Sequence, residues 1–206
     1  MKIFVTGGTG FIGKEMVKRL IQAGDDVIVA TRNPDKASRI LSRDISFFHW
    51  DTQSPDALPE VLKNRDAVVH LAGESVGQRW TKKIKRLIKE SRVNSTKALV
   101  EAFKRTQNPP QVFLQASAVG YYGNRGDEVL DETSENGEDF LAEVCREWEE
   151  ASEDLPQYGV RRIVVRIGFV LSAQGGGLAK MLLPFRFGLG GFIGPGNQWV
   201  SWVSLK

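Results

Sequence analysis

Short apolar runs rich in β-branched residues alternate along this chain with longer stretches in which apolar residues recur at helical spacing. The longer stretches predict helices at residues 11–23, 82–105 and 139–152. The short runs predict strands at residues 2–6, 27–31, 45–50, 67–71, 112–116 and 162–167. Because nearly continuous apolar strands alternate with helices, we expect an α/β fold with a doubly wound parallel sheet, covered by helices on both faces.

The character of the sequence changes after Ser172. Eight glycines and several aromatic residues crowd into residues 173–206. We therefore expect residues 1–172 to form the sheet domain and residues 173–206 to begin a small, loop-rich segment on the substrate side of the sheet. The chain stops within a β-like run, so we expect this C-terminal segment to be truncated.

Three glycines follow the first predicted strand directly. Gly7, Gly10 and Gly13 have the spacing G-x-x-G-x-x-G and precede an amphipathic helix. In such a motif the first glycine permits a tight turn, the second lets the backbone approach a pyrophosphate, and the third lets the helix pack closely on the strand. The free N–H groups and the dipole at the start of the helix favour phosphate. The motif predicts a Rossmann-type dinucleotide-binding domain.

The residues after the second predicted strand bear on which dinucleotide is bound. An NAD-preferring domain carries Asp or Glu there to bind the ribose 2′-hydroxyl. This chain has Thr31 and Arg32 instead, and Arg32 lies 19 residues after Gly13, about the expected separation. A guanidinium pairs well with a 2′-phosphate, and a threonine adds a hydroxyl donor. A surface arginine in a loop is the alternative, but the pattern favours NADP(H) over NAD(H).

Composition and charge narrow the environment and the partners. No apolar run approaches the roughly 20 residues of a membrane helix, so we expect no membrane association. The apolar run after Lys2 is broken at once by glycines and is not a signal peptide. The single cysteine, Cys145, excludes an internal disulfide and fits a reducing compartment. These features predict a cytoplasmic protein.

Basic residues cluster in the helix predicted at residues 82–105. The net charge of the chain is only +3, and apolar residues interleave with the basic ones at helical spacing. The cluster comprises Lys82, Lys83, Lys85, Arg86 and Lys89. We interpret it as the solvated face of an amphipathic helix, and a nucleic-acid contact is the weaker alternative.

Several motifs in sequence order resemble the extended short-chain dehydrogenase/reductase family, which includes the NAD(P)-dependent sugar epimerases. They are TGGTGFIG at 6–13, HLAG at 70–73, RVNSTKALVEA at 92–102 and SAVGYYG at 117–123. With ATRNP at 30–34 and LLPFRFGLGG at 182–191, they are similar more narrowly to a divergent subgroup of epimerase-family proteins with largely undefined substrates. Members of that subgroup are longer than this chain, which agrees with the expected truncation.

The resemblance implies cofactor contacts position by position. It implies a contact to the adenosine phosphate by Thr31 and Arg32, and a contact after the fourth strand by Leu71 and Ala72. It implies a cofactor contact by Arg92 of the Ser91-Arg92 pair on the long helix, and a backbone contact near the nicotinamide by Ile167. The pyrophosphate loop that it implies consists of Gly7, Thr9, Gly10, Phe11, Ile12 and Gly13. It also implies a small-molecule substrate and a homodimer formed through the long helices.

The resemblance also implies a catalytic pair that this chain lacks. The family uses a tyrosine as acid/base with a lysine four residues later, whose charge stabilises the phenolate. The matching helix here has Phe140 or Leu141 in the tyrosine position and Val144 or Cys145 in the lysine position. None of the three tyrosines in the chain has a lysine four residues later. The usual pair is therefore absent.

Other polar side chains remain as candidates for catalysis. The family's serine aligns with Ala118, and Ser117 is its neighbour. The candidate proton donors are Tyr121 and Tyr122 at the end of the fifth strand. Aromatic packing beneath the glycine-rich segment is an equally good interpretation of these two tyrosines.

The remaining reactive side chains indicate no further chemistry. His49 and His70 are isolated, without a Ser-His-Asp order or a cluster of metal ligands, so we expect no metal. His70, at a strand end, is interpreted as a core or supporting histidine rather than a base. Cys145 is interpreted as a small buried hydrophobe rather than a reactive thiol.

Two functions from different classes follow. The first is an NADP(H)-binding oxidoreductase or epimerase-like enzyme with a non-standard catalytic set, acting on a carbonyl or sugar-nucleotide-like substrate. The second is a non-catalytic NADP(H) sensor that regulates or binds a partner. The missing tyrosine and lysine favour the sensor, whereas the aromatic and glycine-rich segment favours the enzyme.

Overall fold

The computed structural model describes residues 1–41, 45–52, 54–192, 194 and 196–206. In chain order the elements are β1 (Lys2–Thr6), α1 (Phe11–Gln22), β2 (Asp26–Thr31), α2 (Pro34–Ile40), β3 (Ser46–His49), α3 (Leu58–Leu62), β4 (Ala67–His70), α4 (Lys82–Arg105), β5 (Val112–Ala118), α5 (Phe140–Glu150), β6 (Arg161–Ile167), β7 (Phe169–Leu171), α6 (Gly176–Arg186) and β8 (Trp202–Ser204). Short 3₁₀ turns cover Val119–Tyr122 and Leu155–Tyr158.

The chain divides into two compact units. The first comprises residues 1–116 and 147–165, and the second comprises residues 117–146 and 166–206. This division differs from the predicted boundary at residue 172, because it groups residues 117–146 with the C-terminal part of the chain. Residues 193 and 195 of the predicted substrate-side segment lie outside the described residues.

A six-stranded sheet in the order β3-β2-β1-β4-β5-β6 confirms the predicted doubly wound α/β fold. The β1–β2, β1–β4, β2–β3 and β4–β5 pairs are parallel, and in β1 Ile3 lies opposite Val27 on one side and Ala67 on the other. The strand order reverses at β1, which therefore lies at the topological switch point. In open α/β sheets, ligands bind at the carboxyl ends of the strands beside such a point.

The sheet is buried on both faces in the first unit. Successive β1 residues point to opposite faces, as strand geometry requires. Ile3 and Val5 pack in one core cluster, whereas Phe4 packs in another with Leu99 of α4 and Phe113 of β5. All five side chains are almost completely buried. The two apolar layers fix the positions of the strand ends from which the site is built.

The long helix α4 has the amphipathic character that its sequence predicts. The Thr81 side chain caps its start by accepting the Ile84 N–H at 3.3 Å, and Lys104 and Arg105 occupy its last turn. Nine of its residues are buried, including Ile88, whereas Lys82, Lys83 and Arg86 of the basic cluster are exposed. This arrangement agrees with a solvated basic face.

Three helices were not predicted from the sequence. Helix α2 has clear start signals, since Asn33 caps it and Pro34 is its first residue. Helix α3 is only five residues long. Helix α6 lies within the segment expected to be loop-rich, since residues 176–186 form a helix despite their glycines and Pro184.

The second unit contains a separate small sheet. Strands β7 and β8 pair in parallel, with Phe169 opposite Trp202, and the Phe169 N–H donates to the Ser201 carbonyl at 2.7 Å. In the parts of the chain that the structure describes, no helix is both long and apolar enough to cross a membrane. Nor, within those same ranges, do three or more His, Cys, Asp or Glu side chains come together as metal ligands would.

Candidate functional site

A cavity of about 480 Å³ lies in the first unit at the carboxyl ends of β1, β2 and β4. Its volume falls within the usual range of small-molecule and cofactor sites. The ends of the three strands and the loops that follow them form its wall. The lining includes several of the predicted cofactor residues, namely Gly7, Thr9, Gly10, Thr31, Arg32, Leu71 and Ala72. Seven predicted residues from three separate stretches of sequence therefore come together around one cavity.

The turn after β1 requires glycine at two positions. Gly7 has a φ of 71°, and a side chain there would place its Cβ 2.6 Å from the Leu71 carbonyl carbon. At Gly13, a Cβ would overlap the carbonyl oxygen of Gly7. The Gly10 N–H donates to the Gly7 carbonyl at 2.9 Å and closes the turn. The turn, the start of α1 and the loop after β4 are thus packed backbone against backbone.

The start of α1 faces the cavity without a competing acidic group. Gly10, which lines the cavity, is the N-cap residue and has no side chain with which to cap the helix. Within the described span of α1, the first turn contains no acidic residue. Phe11, Ile12 and Gly13 are the first residues of the helix and support the loop, and they are not among the described residues that line the cavity. A helix start of this kind suits a phosphate group.

Two cations line the cavity beyond the end of β2. Arg32 and Lys36 are both exposed, and both contribute to the wall. Among the described residues, no carboxylate forms a salt bridge with either of them. Asn33 fixes the local geometry, since its side chain accepts the Lys36 N–H at 2.9 Å. The sequence interpretation found Arg32 but missed Lys36, because α2, the helix that carries Lys36, was not predicted.

An apolar part of the cavity wall was also missed. Ala37 and Ile40 of α2 contribute to it together with Trp50, which follows β3. The Trp50 side chain is buried, and its indole N–H donates to the Ser54 carbonyl at 2.8 Å. A planar apolar ligand group fits such a surface. The sequence offered only apolar periodicity at these positions, which does not distinguish core from cavity.

His70 lies directly beneath the wall, at the end of β4. Its side chain has no exposed surface, and burial, followed by the positive charge of Arg92, lowers its pKa from 6.5 to about 3. Its Nδ1 atom lies 2.7 Å from the Thr6 hydroxyl, and its Nε2 atom lies 3.0 Å from the Thr96 hydroxyl. The ring is therefore neutral, in agreement with the interpretation of His70 as a core histidine.

The hydrogen-bond partners assign the tautomer of His70. The Thr96 hydroxyl donates to the Arg92 carbonyl at 2.8 Å, so it accepts from Nε2–H of the imidazole. The Nδ1 atom then accepts from the Thr6 hydroxyl, and that oxygen in turn accepts the Ala72 N–H at 3.3 Å. One chain of hydrogen bonds connects the cavity wall at Ala72 to α4 through a neutral histidine.

Arg92, the predicted cofactor residue on α4, contacts the loop after β4. Its Nη1 atom donates to the Glu74 carbonyl at 2.9 Å, and its guanidinium lies 5.1 Å from the centre of the Trp148 ring. The neighbouring Ser91, rather than Arg92, is among the described residues that line the cavity. A direct contact between Arg92 and a cofactor stays a prediction.

The predicted catalytic residues and Ile167 belong to the second unit. Ser117 is buried in β5. The rings of Tyr121 and Tyr122 pack edge to face, with 5.4 Å between their centres. Arg166 of β6 lies over the Tyr121 ring at 3.5 Å and donates to the Tyr122 hydroxyl at 3.0 Å. The sequence interpretation missed Arg166, because nothing in the spacing of the chain associates it with the tyrosines.

The helix in which the family's tyrosine and lysine were expected is α5. The structure confirms a helix at this position, from Phe140 to Glu150. Val144 and Cys145, in the lysine position, are buried. Cys145 is the single cysteine of the chain, and its burial agrees with its interpretation as a small hydrophobe.

Comparison with known proteins adds to this geometry. The model of the NAD dependent epimerase/dehydratase family matches residues 3–144, which is well over half of the chain. An epimerase family protein of Staphylococcus saprophyticus is 38% identical over 203 residues, covering 98% of this chain and 66% of that protein. The chloroplastic SDR39U1 homolog of Arabidopsis thaliana is 40% identical, and the match covers 100% of this chain and 59% of that protein. The chain thus spans about two thirds or less of the length of these relatives.

A solved structure shows the same architecture. The crystal structure of human epimerase family protein SDR39U1 (isoform 2), obtained with NADPH, superposes with a TM-score of 0.85. The two sequences are 34% identical, and the match covers 100% of this chain and 66% of the human one.

Proposed function

The chain belongs to the NAD dependent epimerase/dehydratase family, and from this premise we propose that its first unit binds NADP(H) in the cavity beside β1. One observation carries the choice of NADP(H). Arg32 and Lys36 line the cavity at the end of β2, where an NAD-specific domain has a carboxylate for the ribose 2′-hydroxyl. Two cations at this position favour a 2′-phosphate. The human relative solved with NADPH supports the proposal.

The remaining cavity residues fit the other parts of such a nucleotide. Gly7, Gly10 and the start of α1 would hold the pyrophosphate, because the two glycines line the cavity with backbone alone and no side chain caps the helix start. Ile40 and Trp50 would hold the adenine, since they form the apolar part of the wall. The donor set and the cavity volume both agree with a dinucleotide.

We propose that the enzyme acts on a carbonyl or sugar-nucleotide-like small molecule. NADP(H), when bound, supplies hydride transfer. In the second unit, Tyr122 is the best proton donor, because the Arg166 guanidinium donates to its hydroxyl at 3.0 Å. Arg166 would thereby place a cation beside the tyrosine oxygen, as the lysine does in the family. Tyr121, held under the same guanidinium, and Ser117 are the other candidates.

A second function is favoured by one observation about α5. Phe140 or Leu141 stands in the tyrosine position of the family, and neither side chain can exchange a proton. A non-catalytic NADP(H) sensor needs only the cavity of the first unit. Turnover of NADPH with a panel of carbonyl substrates separates the two functions: loss of turnover in Tyr122→Phe supports the enzyme, and no turnover by the unmodified chain with intact NADPH binding supports the sensor.

Substitution of the two cations tests the cofactor assignment. We expect Arg32→Ala and Lys36→Ala each to weaken NADPH binding by about tenfold or more, since each removes a charge-assisted contact. NADH binding should change little. Arg39→Ala is the matched control. Arg39 is an exposed cation on α2, the helix of Lys36, and it is not among the described residues that line the cavity. An equal loss for both nucleotides would refute the 2′-phosphate assignment.

Compartment and assembly are part of the proposal. The single buried cysteine agrees with the proposed cytoplasmic location, and the Arabidopsis relative is named as chloroplastic. We also propose a homodimer on the analogy of the family, and no nucleic-acid partner. Light scattering of the purified chain, with and without added DNA, measures both: a monomeric mass would contradict the dimer, and a mass increase with DNA would contradict the absence of nucleic-acid binding.

A further inference from the structure

We infer that Ser91 and Arg92 form a latch that holds Glu74 at the wall of the nucleotide cavity, which makes Arg92 a positioning residue for the bound nucleotide. Glu74 lies in the loop after β4, and Gly73, Glu74 and Ser91 all line the cavity. The consequence for nucleotide affinity rests on the proposed function. The latch itself rests on contacts within the first unit.

Two neighbouring side chains of α4 bind both backbone groups of Glu74. Its N–H donates to the Ser91 hydroxyl oxygen at 2.9 Å, and its carbonyl accepts from Arg92 Nη1 at 2.9 Å. Both side chains are also tied to the preceding turn of α4. The Ser91 hydroxyl donates to the Ile88 carbonyl at 3.1 Å, and Arg92 Nη1 donates to the same carbonyl at 2.9 Å. The loop is therefore fixed to a rigid helix, α4, through both the N–H and the carbonyl of Glu74.

Further contacts keep the Arg92 guanidinium in place. It lies 5.1 Å from the centre of the buried Trp148 ring, a cation–π distance. On Gly73, a Cβ atom would lie only 2.9 Å from Arg92 Cζ, so the guanidinium is in close contact with the loop backbone. A lysine does not reproduce this arrangement, because its ammonium lacks the flat face that packs on the Trp148 ring and on the backbone of Gly73.

The latch and a direct phosphate contact predict different losses of nucleotide affinity. If Arg92 acted mainly by its positive charge on a phosphate, Arg92→Lys would keep most of that affinity. If it acts by holding Glu74, the same substitution releases the loop although the charge is retained. A displaced wall would weaken the binding of NADPH and of NADH alike, because the two nucleotides differ only in the 2′-phosphate.

The test compares Arg92→Lys and Ser91→Ala with the unmodified chain. We expect each variant to raise the Kd for NADPH and for NADH by about tenfold, with the ratio of the two unchanged. Hydrogen exchange at the Glu74 amide, followed by NMR, should become faster in both variants. Arg86→Lys is the control, because Arg86 is an exposed arginine on the same helix and pairs with the surface residue Glu90 at 3.7 Å.

Three outcomes decide the inference. Unchanged Kd values together with unchanged Glu74 exchange in Arg92→Lys would overturn it. A loss confined to NADPH would also overturn it, since that result indicates a direct contact with the 2′-phosphate. If the unmodified chain binds neither nucleotide, the proposed function fails, while the latch is still decided by whether Glu74 exchange accelerates in the variants.

Discussion

Acidification should destabilise this chain through one residue, His70. Its ring is fully buried at the end of β4, and burial together with the Arg92 charge holds its pKa at about 3 instead of 6.5. The ring accepts from Thr6 and donates to Thr96, so the native state needs it neutral. When the chain unfolds, the ring returns to water and recovers its ordinary pKa.

The size of the effect follows from the difference between these two pKa values. Below pH 6.5 the unfolded chain takes up a proton at His70 that the folded chain does not, so stability falls as the pH falls. Each pH unit in this window costs about 1.4 kcal/mol. At about pH 4.5 the loss is about 3 kcal/mol, and it levels off near the folded pKa. Above pH 6.5 the contribution is fully present.

Urea unfolding at pH 7 and at about pH 4.5, followed by tryptophan fluorescence, measures this loss. The unmodified chain should lose about 3 kcal/mol more than His70→Gln between the two pH values, because glutamine does not titrate. His49→Gln is the control, since His49 is the only other histidine and is exposed. The carboxylates are the same in the unmodified chain and in both variants, so their contribution to the pH dependence of stability cancels in the comparison. Equal pH dependence in the unmodified chain and His70→Gln would refute the assignment of a buried neutral ring.

Two further predictions concern the turn and the core. Gly13→Ala should weaken NADPH binding by more than about tenfold, because the added methyl group overlaps the Gly7 carbonyl oxygen and displaces the turn; calorimetric titration would contradict this by showing unchanged affinity. Phe113→Ala should lower the free energy of unfolding by about 3–5 kcal/mol, since the ring is fully buried and packs against Phe103 and His70. A loss below about 1 kcal/mol in urea unfolding would show that the core around β5 is packed differently.

The sheet could be predicted from the sequence because each strand carries its own local signal. The apolar runs at β1, β2 and β4 are short, rich in β-branched residues and bounded by turn residues, which favours strands over helices. Helix α6 was missed because the glycines at its start and Pro184 within it are typical of loops. Its helical form depends on packing within the second unit, which local propensity does not contain. For example, the ring of Phe169 in β7 lies directly against Gly177 of α6.

The site was predictable only where a motif fixes it. The glycine spacing and the position of Arg32 after β2 follow from the geometry of the turn and the strand end. Lys36 and Trp50 reach the same cavity from α2 and from the end of β3, and no linear spacing connects them. The contact between Arg166 and Tyr122 joins residues 44 positions apart. Such contacts depend on tertiary structure and could not be found in the sequence.

The cavity of the first unit should bind NADP(H) in preference to NAD(H). Calorimetric titration of the unmodified chain with NADPH and with NADH, at the same salt concentration, measures this preference. We expect NADPH to bind at least tenfold more tightly, a difference of about 1.4 kcal/mol. Equal affinities, tighter binding of NADH or no binding of either nucleotide would contradict it.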